Sequence, residues 1–293
     1  MADITTTAVS ALFYLVFACQ IVLISLFYPR KLMARMTYVL EHFPPAEYPK
    51  LYPDAGPGFE ASMKGKARLY LAVNMIIAAL GVVAMGLMLT WGLSRGACAG
   101  YFILQAMPYL YLSIKEMAQF KAMRAAYRPR LRVADLTPRR LSDFVALPYV
   151  AVAAVLYVAW LAFFLSGKGA PESWGTSVVA TLLLISGMNL AYVFIIRRFI
   201  SGKKLNPIAG HADQMLQTKT TVKGLVYSSI GVSLFLIVID AMRRYGLHDV
   251  GPVVTSFYMQ ACVVFAIGMT LDKIRPETMD FDVYKPDDTL PAG

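Results

Sequence analysis

Long apolar runs separated by compact polar blocks dominate this chain. Seven runs of about 20 residues qualify: Ala8–Tyr28, Leu69–Trp91, Ala97–Ile114, Phe144–Leu165, Thr176–Ile196, Gly224–Met242 and Pro252–Leu271. A hydrocarbon core about 30 Å thick takes roughly 20 helical residues to cross. Apolar character on every side marks a helix that meets lipid or a bundle interior, not one with a face in water. The pattern predicts an all-α integral membrane protein, a seven-transmembrane helix bundle spanning 1–271, followed by an acidic tail over 272–293.

Local features refine these elements. Pro108 inside the third run predicts a kink that frees the carbonyl of Leu104, whereas Pro148 falls in the first turns of the fourth. Beyond the third run, Met117, Phe120, Met123 and Tyr127 recur at helical spacing among Lys115, Lys121 and Arg124. They predict an amphipathic extension ending at Pro129. In the first long connection, Pro45, Pro49, Pro53 and Pro57 hold the backbone extended around Tyr48 and Tyr52. Such a segment, Pro45–Pro57, costs little entropy to dock and is a candidate contact for a protein partner. A semi-rigid linker accounts for the prolines equally well.

Charge changes the picture next. Only 16% of the 293 residues are charged and 58% are hydrophobic, against about 25% charged in soluble proteins. That excludes a soluble enzyme and a disordered chain, and three cysteines cannot pair evenly into a secreted disulfide scaffold. None of the 28 Lys and Arg lies in the runs. All but Arg95, Lys168, Arg243 and Arg244 fall in the connections 29–68, 115–143 and 197–223 and in the tail. The positive-inside rule then predicts an outside N-terminus, a cytoplasmic C-terminus and a multi-pass location in the plasma membrane, the inner membrane if the source is bacterial. The first run lacks a basic leader and reads as an anchor, not a signal peptide. The net charge of +10 calls for no nucleic acid. Basic loops beside anionic lipid headgroups explain it, at about 1 kcal/mol per well-placed cation.

Candidate chemistry is sparse and uncharged. Gln105, Asn189 and Gln260 are the polar residues expected to face the bundle interior, with Asn74, Thr255 and Ser256 beside them. They read either as a binding path or as interhelical hydrogen bonds. Asp240 is the only acidic residue within a run, and Arg243 and Arg244 follow at i+3 and i+4 as an outer-interface charge cluster. With no charge near mid-span, the expected cargo is neutral or amphipathic, and the leading expectation is a non-enzymatic binding, transport or scaffold protein. The alternative is a lipid-modifying enzyme at the cytoplasmic interface, built on His42, His211 and Asp213. A phosphatase-like spacing at Lys121 and Arg128-Pro129 lacks the companion motifs such chemistry needs. No cofactor or metal is expected: all three histidines lie outside the runs, the last run has no lysine for a retinal, and no phosphate-cradling glycine loop occurs.

Overall fold

The computed structural model describes residues 2–91, 95–127, 139–201 and 206–286. Among the described residues there are no strands, and seven helices are long and apolar enough to cross a membrane. They are α1 (Thr7–His42), α2 (Phe59–Trp91), α3 (Gly96–Ala126), α4 (Leu147–Leu165), α5 (Thr176–Ile200), α6 (His211–Arg244) and α7 (Gly251–Thr278, continuously helical through Lys273). This is the architecture of a multi-pass membrane protein. Several helices outrun the apolar stretches that predicted them. Hydropathy marks the length in contact with lipid, while backbone pairing continues wherever good helix formers follow. Thus α1 passes through Pro29 to His42, α6 starts at His211, and α3 runs through Pro108 to Ala126. Pro129, the expected stop for α3, lies outside the described residues.

Large apolar side chains point outward along the helices. Leu183 and Leu184 are 70% and 71% exposed, and Leu15, Leu69, Leu89 and Leu190 are similarly bare. In water such a surface would drive aggregation; hydrocarbon solvates it. Helix association then rests on close packing and interhelical hydrogen bonds, because lipid tails are as apolar as leucine.

Contacts group the chain into two compact units. The first takes in 1–134, 205–214 and 252–293, and so contains α1, α2, α3 and α7. Its core sets Phe13, Phe17 and Ile21 of α1 against Ile77, Ala78 and Met88 of α2, Cys98 and Tyr101 of α3, and Val253 of α7. Gly81 permits the closest approach. The Tyr101 hydroxyl donates to the Ile77 carbonyl at 3.0 Å and occupies the space a Cβ on Gly81 would need. A second cluster joins Ile24 and Tyr28 to Val263 and Leu271. There the Tyr28 hydroxyl lies 2.7 Å from where a Cβ on Gly268 would stand.

A satellite core forms beyond the apolar part of this unit from Tyr48, Met123, Phe281 and Tyr284. Phe43 stacks on Phe281 at 3.7 Å between ring centroids. The Tyr284 hydroxyl accepts from Asn206 Nδ2 at 2.7 Å, and the Lys50 N–H donates to the Tyr284 carbonyl at 3.2 Å. The proline-rich loop, the extension of α3 and the tail therefore pack on one another. Of the extension's apolar stripe, Phe120 and Met123 pack into this core and Met117 stays exposed.

The second unit takes in 135–204 and 215–251, with α4, α5 and most of α6. Phe144 and Val145 pack on Val222 and Val226. Trp160, Phe164 and Ile185 form a separate cluster with Leu182, Val232 and Leu236.

Replacing Gly81 by alanine should cost about 1–3 kcal/mol, the usual range for overpacking. The cost should shrink in a Tyr101→Ala background, as read from unfolding curves in detergent. Equal costs in both backgrounds would refute the close approach.

Candidate functional site

The first unit is built around an irregularity in α1. Residues Ile21–Phe27 form a π-helical segment, in which the Tyr28 N–H reaches back five residues to the Leu23 carbonyl. The next residue, Pro29, has no N–H to offer. The Ile24 carbonyl thus loses Tyr28 as its α-helical donor and Pro29 as its π-helical one. Tyr109 on α3 resolves this: its hydroxyl donates to the Ile24 carbonyl. In α7, Val264–Gly268 is a second π-helical segment, ending at the glycine that receives Tyr28. Such bulges recur at functional positions in helices.

Amide and hydroxyl side chains tie α1 to its neighbours at the same level. Ser256 Oγ on α7 donates to Gln20 Oε1 at 2.6 Å. Gln20 Nε2 donates to Gln105 Oε1 on α3 at 2.8 Å, and Gln105 Nε2 donates to Ser25 Oγ at 2.8 Å. Gln260 Nε2 adds a bond to the Val16 carbonyl at 2.9 Å, one turn before Gln20. Gln20, Ser25, Gln105 and Ser256 are all buried. Each of these bonds pairs a donor with an acceptor and none of the groups is ionisable, so the ladder carries polarity without charge. In lipid each such bond is worth about 0.6 kcal/mol, at most near 1.7.

The ladder is satisfied, whereas two groups on α2 are not. Tyr70 Oη and Asn74 Oδ1 are buried without a hydrogen-bond partner, while Asn74 Nδ2 donates to the Tyr70 carbonyl at 2.8 Å. Tyr70 packs with Met33 and Ala67, and Leu112 of α3 lies against the same cluster. Among the described residues of this unit, these are the buried side-chain atoms without a hydrogen-bond partner.

Of the three residues expected to line the interior, Gln105 and Gln260 belong to this ladder. Asn189 belongs to the second unit, where Ser229 Oγ donates to its Oδ1 at 2.6 Å. Sequence reasoning missed Gln20 and Ser25. Gln20 is the only amide side chain in the first apolar run, and that was the available signal. In the outer-interface cluster, Arg243 meets Asp240 at 3.4 Å. Arg244 turns instead to the last turn of α4, donating to the Phe163 carbonyl and to Ser166 Oγ at 2.9 Å. A cation there offsets the unpaired carbonyls of a helix C-terminus.

His42, His211 and Asp213 have different surroundings. His42 Nδ1 lies 3.0 Å from the Tyr38 carbonyl, with its ring stacked on Tyr38. His211 opens α6 and is exposed. Asp213 is buried and accepts the Asp280 N–H at 3.1 Å, which helps hold the tail. Among the described residues, no three His, Cys, Asp or Glu side chains gather as a metal site. Burial pushes the Tyr284 phenol up to about 12, with the Asp213 and Asp280 carboxylates adding to the effect and the Asn206 bond opposing it.

The chain matches no known family, no curated protein and no solved structure.

Two outcomes follow from this geometry. Gln20→Leu and Gln105→Leu should each cost about 1–3 kcal/mol by stranding a buried partner. The double variant should cost less than their sum in detergent unfolding, and additivity would contradict a shared ladder. The docked tail should also respond to alkali. A phenol whose folded pKa lies above its unfolded value of about 10 stabilises docking fully below pH 10 and loses that contribution as pH climbs toward 12. A spin label at Val283→Cys should gain mobility across that window, and Tyr284→Phe should abolish the transition.

Proposed function

We propose that this protein is a membrane-embedded binding protein or carrier for a small neutral molecule, with its site at Tyr70 and Asn74 beside the Gln20–Gln105 ladder. One observation carries the reading: the buried polar side chains of the first unit's apolar runs are uncharged, and two of their atoms, one turn apart on α2, have no partner. Leaving such atoms unpaired costs about 1–3 kcal/mol each, a cost that a hydrogen-bonding ligand offsets. Asn74 Oδ1 only accepts, so the molecule must donate; the Tyr70 hydroxyl does either. An alcohol, polyol or neutral amide meets both demands, and a charged solute does not, because nothing there compensates its desolvation. At the basic connections, the exposed cations suit anionic headgroups.

Two measurements test this together. Mass spectrometry should find a neutral donor molecule retained by protein purified from its own membranes, or proteoliposomes should pass glycerol or urea faster than protein-free vesicles. Either signal should fall roughly tenfold in Tyr70→Phe and Asn74→Leu, the change expected for about 1.4 kcal/mol. Neither retention nor flux, or variants that match the parent, would overturn the proposal.

A further inference from the structure

The second unit carries an independent polar interior. Tyr157 and Trp160 stand one turn apart on α4, Ser186 and Asn189 on α5, and Ser229 and Ser233 on α6, so each pair shares a helix face. The Tyr157 hydroxyl lies 2.7 Å from Ser186 Oγ, and Ser229 Oγ donates to Asn189 Oδ1 at 2.6 Å. Two side chains remain. Trp160 and Ser233 are both fully buried, and neither Trp160 Nε1 nor Ser233 Oγ has a hydrogen-bond partner.

Helical arithmetic brings these two groups to one level. The contacts pair later residues of α4 with earlier ones of α5, and later residues of α5 with earlier ones of α6, so neighbouring helices run in opposite directions. At about 1.5 Å per residue, Trp160 stands about 4.5 Å from the Tyr157–Ser186 level. Ser229 stands about as far on the other side, beside Asn189. Ser233, four residues further along α6, comes back to within about 3 Å of the Trp160 level. Phe164, Leu182, Ile185, Val232 and Leu236, all apolar, pack in one cluster with Trp160.

We propose that Trp160 and Ser233 form a second binding site, for a neutral molecule that presents an oxygen acceptor. The indole N–H can only donate, so its partner must accept; the serine hydroxyl takes either role. The apolar surroundings disfavour an ion, since no charged side chain belongs to this cluster among the described residues to offset its desolvation. A ketone, ester or alcohol on an apolar body has the right chemistry, and water is the smallest molecule that shares it.

Trp160 is itself the reporter. In Trp91→Phe/Trp174→Phe protein in nanodiscs, it is the single tryptophan. Cyclohexanone should quench its fluorescence saturably, cyclohexane should not, and Ser233→Ala should weaken the saturable component about tenfold. UV resonance Raman without added ketone should show a hydrogen-bonded indole N–H. Rapid exchange of that proton in heavy water identifies water as the resident acceptor, and slow exchange with a retained organic molecule identifies an organic one; either supports the site. A free indole N–H together with quenching that never saturates would overturn it. So would an N–H whose hydrogen bond disappears entirely in Ser233→Ala, because that shows the two side chains bonding to each other.

Discussion

In hydrocarbon a backbone carbonyl that loses its helical donor must find another inside the protein. Helix α1 creates that demand when it widens into a π-helical turn just before Pro29, leaving the Ile24 carbonyl to the Tyr109 hydroxyl. The arrangement of the first unit follows from meeting this demand. Tyr109 brings α3 against the bulge, and Gln105, one turn earlier, reaches Gln20 just before it and Ser25 within it. Ser256 and Gln260 draw α7 to the same stretch of α1. Gly81 and Gly268 let aromatic side chains approach backbone closely enough for these contacts to form. One irregular turn thus organises three helices.

The same physics sorts the chemistry. Lipid does not pull apolar surfaces together, so leucines are spent on the outside while amides and hydroxyls are concentrated within. Those interior groups are uncharged, and most satisfy one another. Among the described residues, the exceptions fall in one pair per unit: Tyr70 and Asn74 in the first, Trp160 and Ser233 in the second. Their demands differ, since an amide oxygen needs a donor and an indole N–H needs an acceptor. The two unpartnered pairs therefore ask for opposite partners, although both are built from the same inventory of neutral side chains.

Hydropathy made the seven helices legible because it measures what the exposed leucines and valines actually meet. It also brought out Gln105 and Gln260, polar residues in otherwise apolar runs. Gln20 answers to the same rule and was within reach. The π-helical segment was not, because slipping a hydrogen bond by one residue leaves the composition unchanged; Pro29 was the only trace of it. The grouping into two units was hidden for a related reason: apolarity reports contact with lipid, not which helix packs on which. The tail's docking rests on Phe281 and Tyr284, two aromatics at helical spacing inside an acidic segment, and net charge does not register them. Arg244 shows the limit of spacing rules. Its position four residues after Asp240 put both on one face, yet the carbonyl at the end of α4 is the acceptor it uses.

The dependence of α1 on α3 can be read at a single bond. With the Ile24 carbonyl labelled with carbon-13 and oxygen-18, isotope-edited infrared spectroscopy reports whether that oxygen is hydrogen-bonded. In the parent protein the band should lie in the bonded range, and in Tyr109→Phe it should move to higher frequency, as a carbonyl without a donor does. An unshifted band in Tyr109→Phe would mean that α1 satisfies its own backbone, and the bulge would then not be what holds the first unit together.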